Sequence, residues 1–311
     1  MRLIYYSLAA LGNHACERQW IQSIRSLRRH NPGIPVYLIL YGAPRLETRL
    51  EASRCGVRLI EAGAYHQGFS RLPPAWAEVL ERNPTLHKVL SLRHLATQGV
   101  DQVLYLDCDT FFFGDVERLF DLYRGRHFTA REEPSSRRSR AGYDAGYIDE
   151  DALESLARHE GLAPIPPYNS GIFLMNGGLW DHLRALADHF LVSVWRLMVG
   201  LKFASPLGAS PDEAVAALLE RGVTAEDQRR RLAYPSSNAW IVEEIALWLT
   251  LGRIAGLTHE VFRPDHVLQN GESLAIGRSR PPPVVAHYFS GFERQFFAGV
   301  PALRSAQKMR S

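Results

Sequence analysis

Residues 103–116 read VLYLDCDTFFFGDV. An apolar, strand-forming run ends in two carboxylates, Asp107 and Asp109, with only Cys108 between them. Like charges this close repel, and burying either one unpaired is costly. A strand that ends this way needs a positive counterpart, and a divalent cation supplies one. An exposed turn would instead let both acids face water. Here they follow VLYL directly, where a buried strand emerges, and that context favours a metal site. A calcium-binding loop is excluded, because its fifth and sixth positions would be Phe111 and Phe112 rather than an oxygen ligand and glycine.

The rest of the chain supports a globular enzyme. It has 311 residues, 46% hydrophobic and 22% charged, enough for a sizeable core in one large or two small domains. The net charge of +3 gives no case for nucleic acid. Of 36 basic residues only Lys88, Lys202 and Lys308 are lysines. Arginine suits bidentate phosphate binding, although genome composition explains the bias more simply. Cys16, Cys55 and Cys108 are odd in number and lack a CxxC spacing, which suggests neither a disulfide framework nor a zinc site and fits a reducing cytoplasm. MRLIYYSLAALGNHAC superficially resembles a leader, but its strand formers run straight into the amphipathic ERQWIQSIRSLRRH, the opening of an α/β domain. No apolar stretch long enough to span a membrane is free of charge. The longest, AWIVEEIALWLTLGRIAGL, contains Glu243, Glu244 and Arg253.

Strand and helix patterns alternate over the first 130 residues or so: RLIYYSLA, a helix, PVYLILYG, VRLIEA, a helix across Lys88 to Gln98, then DQVLYLD. This alternation predicts a mainly parallel sheet with helices on both faces. Ligands of such sheets bind beyond the carboxyl ends of the strands, where Asp107 and Asp109 lie. PSSRRSRAGYDAGYIDEDA reads as a long exposed loop, and residues 132–166 are expected to form a mobile lid. A strand, YNSGIFLMN, and a helix through DHLRALADHFLVSVWRLM follow. Helical patterns near Asp212 and Trp240 lead to the closing strand PPVVAHYFSG. The reading is a single domain over 1–294 with a tail over 295–311.

Two further strands carry chemistry-bearing residues. Asn169, Ser170 and Gly171 precede an apolar run; glycine permits close approach of backbone to a ligand, and Asn and Ser offer donors and acceptors. Taken alone, an ordinary turn explains them. His287 ends another apolar run, with Gly291 and Arg294 after it, giving a nitrogen ligand and then an anion binder. A lone histidine at a strand end is more often structural. A haloacid-dehalogenase-type phosphatase is disfavoured, since Thr110 comes one place too early and the acidic strand lies deep in the chain.

Together, VLYLDCDT, YNSGIFLMN and HYFSGFER resemble, in order and separation, the three motifs of metal-dependent glycosyltransferases of the GT-A fold. The likeness is to the family-eight group that includes glycogenin and bacterial galactosyltransferases. It implies that Asp107, Asp109 and His287 hold a divalent metal on a nucleoside-diphosphate sugar. One imidazole among oxygen ligands suits Mn²⁺ somewhat better than Mg²⁺. It further implies that Lys88, Asn169, Ser170, Gly171, Gly291 and Arg294 contact the donor. The His-to-Gly gap is one residue longer than in the group, and the acid usual at the end of the first strand is absent. Tyr6 and Ser7 stand there instead; Tyr6 could stack on a base, although an aromatic in a strand is more often core. For the helix that faces the reacting sugar two places compete. Glu243 and Glu244, acids amid aromatics, are preferred to Asp212 and Glu213, which suit a helix's first turn. Glu243, Glu244 and Asn169 are thus the candidate catalytic residues.

The function expected is transfer of a sugar from a nucleoside-diphosphate sugar, with UDP as carrier, to a glycan, lipid-linked glycan or protein. Retention of configuration rests on the resemblance alone. The place expected is the cytoplasm or the inner membrane surface. A sugar-1-phosphate nucleotidyltransferase is the alternative enzyme, but LAALGNHACER lacks the glycine-rich basic loop it needs. A nucleotide-sugar-binding protein without turnover is the alternative outside enzymes.

Overall fold

A strand covered on both faces must be apolar at nearly every position, and β1 (Arg2–Ala10) is buried along almost its whole length. In chain order there follow α1 (His14–His30), β2 (Val36–Gly42), α2 (Leu46–Arg54), β3 (Arg58–Glu61), α3 (His87–Leu90), β4 (Gln102–Leu106), β5 (Thr110–Phe112), α4 (Glu117–Leu122), β6 (Phe128–Glu132), β7 (Tyr168–Asn176), α5 (Leu179–Ala185), α6 (Ala239–Gly252), β8 (His259–Val261), β9 (Val267–Gln269), β10 (Val285–His287) and α7 (Glu293–Gly299). The computed structural model describes residues 1–10, 14–62, 84–132, 157–158, 161–163, 168–191, 193, 239–269, 282–288 and 293–300. The helix patterned near Asp212, the loop over 134–152 and most of the lid over 132–166 lie outside these residues. So do Gly291 and the tail beyond 300.

The main sheet has the order β3-β2-β1-β4-β7-β6-β8. Pairings β1–β2, β1–β4, β2–β3 and β6–β8 are parallel, while β7 runs antiparallel to both β4 and β6. The α/β, mainly parallel sheet expected from the sequence is therefore present. Side chains alternate across it with the period of two that strands impose. Leu3, Tyr5, Ile39, Val103, Tyr105 and Phe173 pack with Leu86–Leu95 residues, α5 and α6. Ile4, Tyr6, Leu38, Leu104, Leu106 and Leu174 pack with α1, α2 and α4. The α1 residues in that second core are Trp20, Ile21, Ile24 and Leu27, a helical stripe, and Arg28, Arg29 and His30 complement the dipole in its last turn.

The helix expected across Lys88–Gln98 is not continuous. Two 3₁₀ turns, Pro84–Leu86 and Ser91–His94, flank the short α3, and helical structure ends at His94. The carbonyls a longer helix would use are taken by other groups. Tyr5 donates its hydroxyl to Lys88 O at 2.9 Å, and Arg184 donates to Leu92 O at 2.7 Å and to Leu95 O at 2.9 Å. The helix expected from Asp181 starts two residues early, at Leu179.

After Leu106 the chain leaves the main sheet, and Asp107 to Asp109 carry it into β5 of a second sheet with the order β5-β10-β9. β10 is antiparallel to β5, with His287 opposite Thr110. The closing strand is thus shorter than PPVVAHYFSG implied, and it sits beside the end of the acidic strand, as the metal reading requires. Alternation explains the three phenylalanines: Phe112 enters the core under α1, while Phe111 and Phe113 pack with Tyr288, Phe296 and Phe297 of the C-terminal segment. Cys16, Cys55 and Cys108 are free thiols. Among the described residues no helix is long and apolar enough to cross a membrane.

A buried hydroxyl relay pins the turn between the sheets. Tyr6 OH meets Ser23 Oγ at 2.9 Å, Ser23 Oγ meets Thr110 Oγ1 at 2.7 Å, and Thr110 donates to Asp107 O at 2.9 Å. Ser23→Ala leaves two buried hydroxyls short of a partner and should cost about 1–3 kcal/mol. A urea midpoint unchanged from wild type would show that the relay contributes nothing.

Candidate metal centre

Residues 103, 105 and 107 share one face of β4, so the strand itself directs Asp107 toward the layer containing Lys88 and α6. Tyr105 OH donates to Asp107 Oδ1, and Lys88 Nζ donates to Asp107 Oδ2 at 3.0 Å. The turn that follows brings Asp109 round to β10, where His287 Nε2 lies 3.2 Å from Asp109 Oδ1 and 3.7 Å from Asp107 Oδ2. One ligand atom from each of Asp107, Asp109 and His287 lies within 4.8 Å of the others. Residues about 180 positions apart therefore meet at the carboxyl end of a parallel strand.

The neighbouring strand β7 supplies the site's other wall. The register of β6 on β7 jumps between Ala130, opposite Phe173, and Arg131, opposite Asn169. Ser170 and Gly171 lie in the skipped segment; irregularities of this kind re-aim side chains next to binding sites. Ser170 Oγ accepts from Lys88 Nζ at 2.9 Å, and its hydroxyl hydrogen is shared between Glu243 Oε2 at 2.9 Å and Glu244 Oε1 at 3.2 Å. Lys88 Nζ is also 3.6 Å from Glu243 Oε2. Glu243 is 0% exposed, and its Oε1 has no hydrogen-bond partner among the described residues.

Four carboxyl groups thus face one ammonium and one imidazole. Burial opposes the charge on Lys88, yet Asp107, Glu243 and Glu244 outweigh it and raise its pKa. Burial also pushes the Glu243 carboxyl up to about 7, against the pull of Lys88 and Ser170. At Asp109 burial acts upward, but the adjacent His287 holds the carboxyl below the usual range. His287 is raised by Asp109 and Asp107 despite its burial. The excess of negative charge, with two carboxylates and an imidazole converging, is a donor set that suits a divalent cation.

Gly171 lies against the histidine of β10. A Cβ there would lie 2.2 Å from His287 Cε1 and 2.5 Å from its Nδ1. The glycine makes room for the histidine ring, so one close approach it permits is that of a side chain of the protein itself. Asn169 donates from Nδ2 to Glu244 Oε1 at 3.0 Å and accepts the Gly171 N–H on Oδ1 at 3.0 Å.

Most of the residues read from the sequence meet at this place: Lys88, Asp107, Asp109, Asn169, Ser170, Gly171, Glu243, Glu244 and His287. Tyr6 does not, and its expected stacking on a base is corrected. It is 0% exposed, edge-on to Trp20, and bonded to Ser23 inside the core, so its effect on the site runs through the hydroxyl relay. Ser7 lies at the margin, its Oγ 3.3 Å from Tyr105 OH. Arg294 is exposed on α7. Gly291, Asp212 and Glu213 lie outside the described residues. The sequence reading missed Tyr105, although its place two residues before Asp107 on a strand was sufficient to find it.

Gly171→Ala must displace His287 and should weaken Mn²⁺ binding at least tenfold in a protein that still unfolds cooperatively; affinity equal to wild type would show that the ring is not a ligand. Glu243 generates a pH test. Its folded pKa is raised from 4.5 to about 7, so the stability it contributes is full below pH 4.5 and is lost as pH rises to about 7. The thermal midpoint of the metal-free wild type should therefore fall relative to Glu243→Gln across that window. Parallel profiles for the two proteins would contradict the assignment.

No family model matches the chain. Over 153 residues it is 28% identical to the glycosyltransferase GlyE of Streptococcus pneumoniae, a match spanning 48% of this chain and 36% of that protein. Among solved structures it is similar to the galactosyltransferase LgtC in complex with donor and acceptor sugar analogs. There the identity is 16% and the TM-score 0.48, over 93% of this chain and 87% of that one. It is also similar to mouse xyloside xylosyltransferase 1, at 11% identity and a TM-score of 0.46, over 93% of this chain and 97% of that one. The chain thus resembles a bacterial glycosyltransferase in sequence over about half of its own length.

Proposed function

We propose that the chain is a glycosyltransferase that moves a sugar from a nucleoside-diphosphate sugar, with UDP as carrier, to a glycan, lipid-linked glycan or protein acceptor. The observation that carries this reading is the convergence of Asp107, Asp109 and His287 within 4.8 Å at the carboxyl end of β4. The partial sequence match to a glycosyltransferase supports it. Asp107, Asp109 and His287 would hold Mn²⁺ or Mg²⁺. When bound, the metal offsets negative charge on the diphosphate as it departs.

The protein's own groups bind and orient the donor. Lys88 holds Asp107 in place through the 3.0 Å contact to its Oδ2, and Ser7, Asn169, Ser170 and Gly171 are the donor contacts on this reading. Gly291 and Arg294 follow β10 in the sequence, and on this reading they contact the diphosphate. Glu243 is the carboxyl assigned to the reacting sugar, because Glu244 is tied to the backbone of Ser170 and the amide of Asn169, while among the described residues Glu243 meets only the mobile ends of Ser170 and Lys88. Glu244 and Asn169 support it from the wall of the site. The bond from the anomeric carbon to the diphosphate breaks as the acceptor oxygen bonds on the same face, and the acceptor proton leaves with the diphosphate. Retention follows from that front-side path.

The test is a panel of nucleoside-diphosphate sugars with Mn²⁺, read as release of the nucleotide and as a thermal shift. A UDP-sugar should be consumed and should stabilise the protein by about 2.7 kcal/mol at a hundredfold excess over its Kd. Asp109→Ala should abolish both effects while leaving the protein folded, and Asp107→Asn should act in the same direction. Arg294→Ala should lower kcat roughly 10²–10³-fold, with partial recovery in Arg294→Lys. Stabilisation without turnover would make the chain a binding protein, and no response to any nucleotide sugar would remove the reading.

A further inference from the structure

Adjacent glutamates of α6 meet the same strand end and make different contacts there. Glu243 reaches Ser170 Oγ and Lys88 through one oxygen. Glu244 Oε1 is engaged from three sides: Asn169 Nδ2 at 3.0 Å, the Ser170 backbone N–H at 3.0 Å and Ser170 Oγ at 3.2 Å. A carboxylate oxygen that gathers a side-chain amide and a backbone N–H from neighbouring residues fixes the path of that backbone.

We infer that Glu244 is a positioning residue for the metal centre, acting through residues 169–171 rather than on the substrate. The inference rests on reading Asp107, Asp109 and His287 as the metal ligands. The contacts run outward from Glu244 in two directions. The Asn169 amide it holds accepts the Gly171 N–H at 3.0 Å, and Gly171 O accepts the Asp107 N–H at 2.8 Å. On its other side Gly171 forms the surface on which the His287 ring lies, so near that a Cβ would stand 2.2 Å from Cε1. One buried oxygen therefore governs the backbone that seats two of the three ligands, one from β4 and one from β10. Glu244 itself is absent from the ligand cluster among the described residues.

Charge and position can be separated by two substitutions. Glu244→Gln and Glu244→Ala both remove the negative charge, but only glutamine keeps a carbonyl acceptor for Asn169 and Ser170. The experiment is Mn²⁺ binding to the full chain without nucleotide, read by electron paramagnetic resonance of free Mn²⁺. Glu244→Ala should bind 10- to 100-fold more weakly, the usual penalty for losing support behind a ligand, and Glu244→Gln should stay within about threefold of wild type. Asn169→Ala, which breaks the same path one step nearer the metal, should weaken binding like Glu244→Ala and serves if that variant does not fold. Wild-type affinity in both alanine variants, or equal weakening by glutamine and alanine, would overturn the inference. Failure of wild type itself to bind Mn²⁺ would overturn the metal reading beneath it, so the two failures are distinguishable.

Discussion

Two carboxylates held side by side at the end of a buried strand are the constraint around which the rest of this structure is arranged. Asp107 and Asp109 place like charges close together, and positive charge nearby is what offsets their repulsion. The protein answers with Lys88 on one side and His287 on the other, at 3.0 Å and 3.2 Å. Glu243 and Glu244 add further acid to the same pocket, so the local balance remains negative. Removing either cationic partner from such a cluster leaves buried charge uncompensated, an outcome that costs far more than a surface ion pair is worth.

The same turn joins the two sheets. β4 ends in the large sheet and β5 begins the small one, and the acids occupy the crossing. That placement puts β10 beside β5 and delivers His287 from the far end of the chain. Phe111, Phe112 and Phe113 lock the crossing by alternating between two cores. On the inner side, the relay from Tyr6 through Ser23 to Thr110 ties the turn to α1. The candidate metal centre therefore lies between two packed cores, which suits a site that must hold its ligands to a fixed shape.

Strand ends are legible because continuous apolar runs and abrupt polar endings are local signals. β1, β2 and β4 came directly from such runs, as did the places of Asp107, Asn169 and His287 at their ends. What the sequence left obscure depended on long-range partners. The segment after Lys88 has a helical pattern, yet Tyr5 and Arg184 draw its carbonyls out of the ladder. The resemblance places Tyr6 near a nucleotide base, and the commoner fate of a strand aromatic, the core, is the one it has, because α1 covers that face and Ser23 takes its hydroxyl. Gly171 was read correctly as a point of close approach, but a single strand cannot reveal that the approaching group is His287. The partition of Glu243 from Glu244 needed the register jump in β7, which leaves no local trace in the sequence.

The central claim is that Asp107, Asp109 and His287 form one metal centre at the junction of the two sheets. Crystals of the protein grown with Mn²⁺ and UDP, measured by anomalous diffraction at the manganese edge, test it most directly. The account predicts one dominant peak bounded by these three side chains, with the nucleotide's diphosphate against it. A manganese peak elsewhere, or bound UDP with no peak between the three residues, would contradict it.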